Sequence, residues 1–138
     1  MHYAYEVVVL PSNLISNPSV TQLQFSAGVL KTLHITFPSG CADLVRCQLF
    51  DGATQIAPTN SGSYYAANNR TIDSPIYYDL TELYNKLYLV SWNIGATRSH
   101  TLHLEADVQG PEEPDIGTMI KLLAQIMNRV IDILKGMY

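Results

Sequence analysis

Charge is what this sequence has least of: only 14% of its 138 residues are Asp, Glu, Lys or Arg, against 47% apolar residues. A chain this apolar buries enough surface to offset the entropy of ordering itself, which excludes a long disordered segment. So few charges also leave little to coat the surface of a free monomer, and that points to a protein partly covered by another chain. Basic groups are scarcer still. Residues 1 to 115 hold five of them, Lys31, Arg46, Arg70, Lys86 and Arg98, beside eleven acidic groups, whereas residues 116 to 138 hold three and one. Five scattered cations cannot neutralise a run of phosphates, the term that dominates nucleic-acid affinity, so nucleic acid is not expected as a partner.

Cysteine is nearly missing too. Cys41 and Cys47 lie six residues apart on a stretch that reads as extended, a separation of about 20 Å at strand rise and far beyond a disulfide. Two free thiols are expected, with Cys47 pointing inward between Val45 and Leu49, and neither CxxC nor matched histidine spacing supports a zinc site. There is no GxSxG elbow and no phosphate-cradling glycine loop. His100 and His103 have metal-ligand spacing only on a helix; on a strand, residues three apart point to opposite faces. His103, Glu105 and His34 read as a solvated strand face, with a composite metal site as the alternative. Glu112 and Glu113 read as a solvated acidic pair. No catalytic residue, cofactor or metal is therefore expected, and the chain reads as a non-enzyme. The start, Met1 to Glu6, has no basic n-region before its short apolar run, so a chain used without export is expected.

What is present is period-two alternation. Val29, Leu33, Ile35 and Phe37 share one parity, and Thr32, His34 and Thr36 share the other. Val45, Cys47 and Leu49 repeat the pattern, and these two runs read as adjacent strands. Further runs at Tyr5 to Leu10, Thr21 to Phe25, Gln55 to Ala57, Ile76 to Leu80, Lys86 to Trp92 and Thr101 to Val108 bring the count to about eight. The expectation is a mainly β fold over residues 1–108: an antiparallel β-sandwich, jelly-roll-like or immunoglobulin-like. Leu87 and Leu89 alternate with Tyr88, Val90 and Trp92, so that strand is apolar on both faces and reads as central or interface-covered. Tyr64, Tyr65, Tyr77 and Tyr78 lie in or near a stretch rich in small polar residues; core filling or subunit contact is the first reading for them, and a ligand or partner surface is the alternative, because tyrosine offers a rigid ring with a polar tip.

The grammar changes at 109–115, where two prolines and a glycine interrupt the sheet pattern. A stiff linker is expected there, capped by Asp115, followed by a helix over 116–138. With Ile116 at heptad position a, the a positions are Ile116, Leu123, Val130 and Met137, and the d positions are Met119, Ile126 and Ile133. Position e is apolar as well, at Ile120, Met127 and Leu134. This broad stripe predicts self-association through equivalent helices, with a trimer first and a pentamer as the alternative. Packing back on the sandwich, or lying on a membrane surface or in a partner's groove, are the competing readings. Lys121, Asn128, Arg129 and Asp132 within the span argue against crossing a membrane.

The segment from Gly28 through Val29, His34, Phe37 and Pro38 to Cys41, continuing through Leu49-Phe50-Asp51-Gly52 and Gln55 to Asn60, resembles small β-sandwich virion proteins of tailed bacteriophages, which decorate or cement the capsid shell. The resemblance covers about half of the chain and implies a non-enzymatic protein, commonly trimeric, whose partner is the major capsid protein or another virion protein. It also implies a place in the virion, after assembly in the host cytoplasm. The C-terminal helix departs from that pattern. The functional expectation is a capsid decoration or cement protein assembled as a homo-oligomer by its helix. The alternative is a multivalent β-sandwich module that binds carbohydrate or a host surface.

Overall fold

Alternation at period two collects each strand's apolar residues on one face, so burying that face needs a second layer opposite it. The computed structural model describes residues 1–111 and 116–136. It consists of β1 (His2–Val9), β2 (Ser19–Phe37), β3 (Val45–Asp51), β4 (Thr54–Ala57), β5 (Arg70–Asn93), β6 (His100–Gln109) and the helix α1 (Ile116–Lys135). The strands form one antiparallel sheet in the order β1-β6-β2-β5-β3-β4. The fold is mainly β with one C-terminal helix, as the alternation predicts. The expected linker residues 112–115 and the expected seam residue Met137 lie outside the described residues.

Eight expected runs become six strands because two pairs of runs are continuous. β2 joins the run at Thr21 to the run ending at Phe37, and β5 joins Ile76 to Trp92. Both bend at the same level. Ser26 pairs with Tyr84 and Gly28 with Leu80, so Ala27 faces three residues of β5, Thr81, Glu82 and Leu83. Unequal lengths between paired positions force a strand to kink. Asn85 pins the excess: its Oδ1 accepts from the Glu82 N–H (3.0 Å), and its Nδ2 donates to the carbonyls of Glu82 (2.8 Å) and Phe25 (3.3 Å).

The bend folds the sheet into two layers. One holds β1, β6, the second part of β2 and the first part of β5. The other holds the first part of β2, the second part of β5, β3 and β4. Taken along the chain, the first segment pairs with the last and the second with the next to last, and so on inward. That is the rolled-hairpin order of a jelly roll, which decides between the two sandwich types expected. The layers meet at Phe25, whose ring receives the edges of Tyr3 and Tyr5 from β1, with centroids 5.0 and 6.0 Å away. The Tyr5 hydroxyl donates to the Gln24 carbonyl (2.8 Å). The Tyr3 hydroxyl donates to Ser26 Oγ (3.1 Å) and accepts the Ser26 N–H (3.1 Å). Leu23, Leu33, Ile35, Leu49, Leu87, Leu89, Leu102 and Leu104 complete the core around this contact.

Three expectations are corrected. Val29 is half-buried, and Leu30 takes its place in the core, because a register shift between Leu30 and Thr32 reverses the parity there. The runs ending at Phe37 and Leu49 are not neighbours: β5 and β6 occupy the two edges of β2 there, so β3 pairs with β5 instead. β5 is therefore central, as one of the two readings of its sequence expected. Cys41 and Cys47 are both free and buried, but the stretch between them is not extended as expected: Cys41 to Leu44 form a turn closed by the Leu44 N–H on the Cys41 carbonyl (2.8 Å) before β3 begins, and burial pushes the Cys47 thiol far above its ordinary range.

Gly28 makes the bend sterically workable. Its φ is +151°, and a Cβ there would sit 2.2 Å from the Gln109 carbonyl oxygen of β6. Gly28→Ala is expected to lower stability by about 3 kcal/mol, read as a lower urea midpoint, because backbone on both strands must shift to admit one methyl group.

Candidate functional site

α1 is 20 residues long and begins at Ile116. Every side chain described along it, from Met119 onward, is exposed in the single chain. The seam residues Met119, Ile120, Leu123, Ile126, Met127, Val130, Ile133 and Leu134 are 49 to 65% exposed. At 100° per residue they form one arc, and Lys121, Gln125, Asn128, Asp132 and Lys135 occupy the opposite one. Leu122 and Ile131 are exposed as well and border the same arc. Heptad positions a, d and e leave these two out, whereas a plot around the helix finds them. The apolar half is thus wider than the expected seam. Lys135 stands in the last turn, and the Gly136 N–H closes on the Asp132 carbonyl (3.1 Å). No helix among the described residues is long and apolar enough to cross a membrane.

The four candidate tyrosines do not share a surface. Tyr65 is buried, and its hydroxyl meets Ser74 Oγ at 2.6 Å, so it fills the core and drops out of the candidate ligand or partner surface. Tyr78 is half-buried and donates to the Asp51 carboxylate, which raises the phenol above its ordinary value. Tyr77 is 69% exposed on the first layer, whereas Tyr64 lies against Trp92 on the second. One step of strand parity separates Tyr77 from Tyr78, and Tyr65 alone of the other pair bridges to Cys47. Only Tyr64 keeps company suited to a ligand, since the Arg46 guanidinium lies over its ring at 4.1 Å.

The outer face of the first layer carries imidazoles and carboxylates in alternation. His34 Nδ1 meets Asp73 at 2.5 Å and its Nε2 meets Asp107 at 2.8 Å, while His2 Nδ1 meets the other Asp107 oxygen at 2.7 Å. His103 faces Glu6 across β1 and β6, at 3.6 Å. Only an imidazolium donates at both nitrogens, so the His34 geometry is that of the cation. The nitrogens are turned to separate carboxylates, and no three such groups among the described residues are placed to hold a metal ion.

The Asp73 and then the Asp107 hydrogen bonds hold His34 above its ordinary value, while His2 and then His34 hold Asp107 below its own. The raised His34 contributes fully below the unfolded histidine value and fades as pH rises through the folded one. The lowered Asp107 contributes above the unfolded carboxylate value and fades as pH falls. The window of full contribution is mildly acidic. Both carboxylates are well exposed, so solvent screening holds the whole effect to about 1 kcal/mol or less. Wild-type chain is expected to melt at a higher temperature at about pH 5.5 than at about pH 8.5, and His34→Gln is expected to narrow that gap.

No family model matches the chain, and neither does any curated protein. Among solved structures, it is similar to the crystal structure of Yersinia pseudotuberculosis-derived mitogen (YPM), with 10% identity and a TM-score of 0.36 over 83% of this chain and 92% of that one.

Proposed function

We propose that this chain is a non-enzymatic structural protein of a virion shell, a decoration or cement protein that self-associates through α1. The reading rests above all on the uncovered apolar half of α1. Each large apolar side chain gains roughly 1.5 to 3 kcal/mol on full burial. Covering even half of this row therefore exceeds much of the roughly 4 to 15 kcal/mol that association costs. Its own sandwich leaves that half in solvent, and equivalent helices match it in length and pattern. Isoleucine at two of the three d positions, with a stripe this broad, suits three strands better than two. The shell setting comes from the likeness to virion decoration proteins at Gly28 to Asn60.

Light scattering tests the assembly directly. Full-length protein is expected at three times the chain mass of 15.3 kDa, and a chain ending at Gly110 is expected as a folded monomer. An oligomer unchanged by that cut would reject α1 as the assembly element. The shell setting is tested separately, by co-sedimentation of the oligomer with the particles of the virus that encodes it. No association would remove the shell role and leave the light-scattering result standing.

A second reading, a multivalent carbohydrate or host-surface module, draws on one local observation: the exposed Tyr64 ring held between Arg46 and Trp92. Display on a bundle of helices makes weak sites effective, because each binding event after the first is intramolecular.

A further inference from the structure

The chain's single tryptophan stands in a cleft of about 350 Å³ on the outer face of the second layer. Arg46, Gln48, Tyr64, Trp92, Ile15 and Ile94 are among the residues that line it. β3 and β5 pair Arg46 with Trp92 and Gln48 with Val90, so the floor is set by sheet register. Trp92 is only 5% exposed, and Tyr64, 41% exposed, lies edge-on to it with centroids 6.2 Å apart. The Arg46 guanidinium carbon lies over the Tyr64 ring, 4.1 Å from its centre.

Among the described residues Arg46 meets no anion. Its Nε is buried without a hydrogen-bond partner. A planar guanidinium matches a carboxylate in two parallel hydrogen bonds, and its two Nη groups can make that pair without the enclosed Nε. The Gln48 amide nitrogen is committed to the Ser63 carbonyl at 2.9 Å, while its amide oxygen accepts nothing from the described residues. The cleft therefore offers one cation, one acceptor, an exposed aromatic ring and the aliphatic side chains of Ile15 and Ile94.

We propose that this cleft binds one acidic pyranose, a six-membered sugar ring that carries a carboxylate and an apolar substituent. The carboxylate pairs with Arg46, the C–H face of the ring lies on Tyr64, a ring hydroxyl donates to Gln48, and the apolar substituent sits among Ile15 and Ile94. The volume is at the low end for small-ligand sites, roughly 300 Å³ and upward, which suits a single ring and not a chain of them. This assignment deepens the carbohydrate-binding reading and does not depend on α1.

Because Trp92 is the sole tryptophan, its fluorescence and its indole N–H resonance report occupancy without a label. Full-length protein is titrated with the methyl glycoside of N-acetylneuraminic acid, with methyl galactoside and with phenylacetate. A saturable change with the acidic sugar is expected, with little response to the neutral one. Arg46→Gln should weaken binding about tenfold or more at an unchanged melting temperature, and Arg46→Lys by less. Tyr64→Ala should weaken it as well, which gives a second readout if Arg46→Gln misfolds. An equal response to the neutral sugar, tighter binding of phenylacetate, or no response to the acidic sugar would overturn the assignment. Ile126→Asp should leave the affinity for the free acidic sugar unchanged, so failure of assembly and failure of the cleft are read apart.

Discussion

Ile126→Asp is expected to convert the oligomer to monomer at micromolar concentration. Ile126 lies at a d position midway along α1, and the bundle proposed above brings one copy of it from each helix to the same level. Each carboxylate placed there loses its hydration, at several kcal/mol per ion, and also repels its equivalents. An amphipathic helix takes most of its stability from packing its apolar face, so helicity should fall together with mass. The sandwich should be indifferent: α1 is exposed all along its described length, so the unfolding midpoint followed by Trp92 fluorescence should not move. Asn128→Asp, on the polar arc, is the matched control and should leave the oligomer intact. Light scattering and circular dichroism on the two variants decide the matter. Survival of both mass and helicity in Ile126→Asp would place the association surface elsewhere on the chain.

Phe25→Ala should have the largest effect on folding. Phe25 is buried on the second layer and receives two tyrosine edges from the first, so its loss opens a cavity where the layers are joined. Removal of a core phenylalanine costs about 3 to 5 kcal/mol, a large share of the roughly 5 to 15 kcal/mol that holds a domain folded. Urea denaturation should show that loss, and hydrogen exchange should show it unevenly. Amides of β1 should lose protection first, because Tyr3 and Tyr5 reach the second layer through this ring and its neighbours Gln24 and Ser26. Tyr5→Phe, which keeps the ring and deletes one hydroxyl, should cost only about 0.5 to 1.5 kcal/mol.

Alternation was enough to reveal the layers, since most strands carry a buried parity that can be read along stretches of the chain. It could not reveal continuity. Gly28 and the polar run Thr81-Glu82 carry the marks of loops, yet here they let one strand turn a corner while its pairing resumes beyond it. Parity reading also fails wherever register shifts, and Val29 and Leu30 changed roles for that reason. The stripe on α1 was legible because helical periodicity is local. The cleft was not, because Ile15, Arg46, Tyr64 and Trp92 come from four separate stretches and only strand order brings them together. The outward parity of Trp92 on a strand apolar on both faces was the one local sign of it. The His34 ion pairs likewise needed register, since Asp73 and Asp107 are distant along the chain.

The bend at Ala27 also fixes polarity between root and tip. β6 ends at Gln109, opposite Val29 beside the corner, so the chain departs toward α1 from that end. Trp92 lies eight residues beyond Tyr84 on β5, about 27 Å from the corner at strand rise. The proposed cleft at Trp92 therefore lies at the end of the sandwich opposite the one by which the chain leaves β6, so a ligand held there touches neither the corner nor the exit of the last strand.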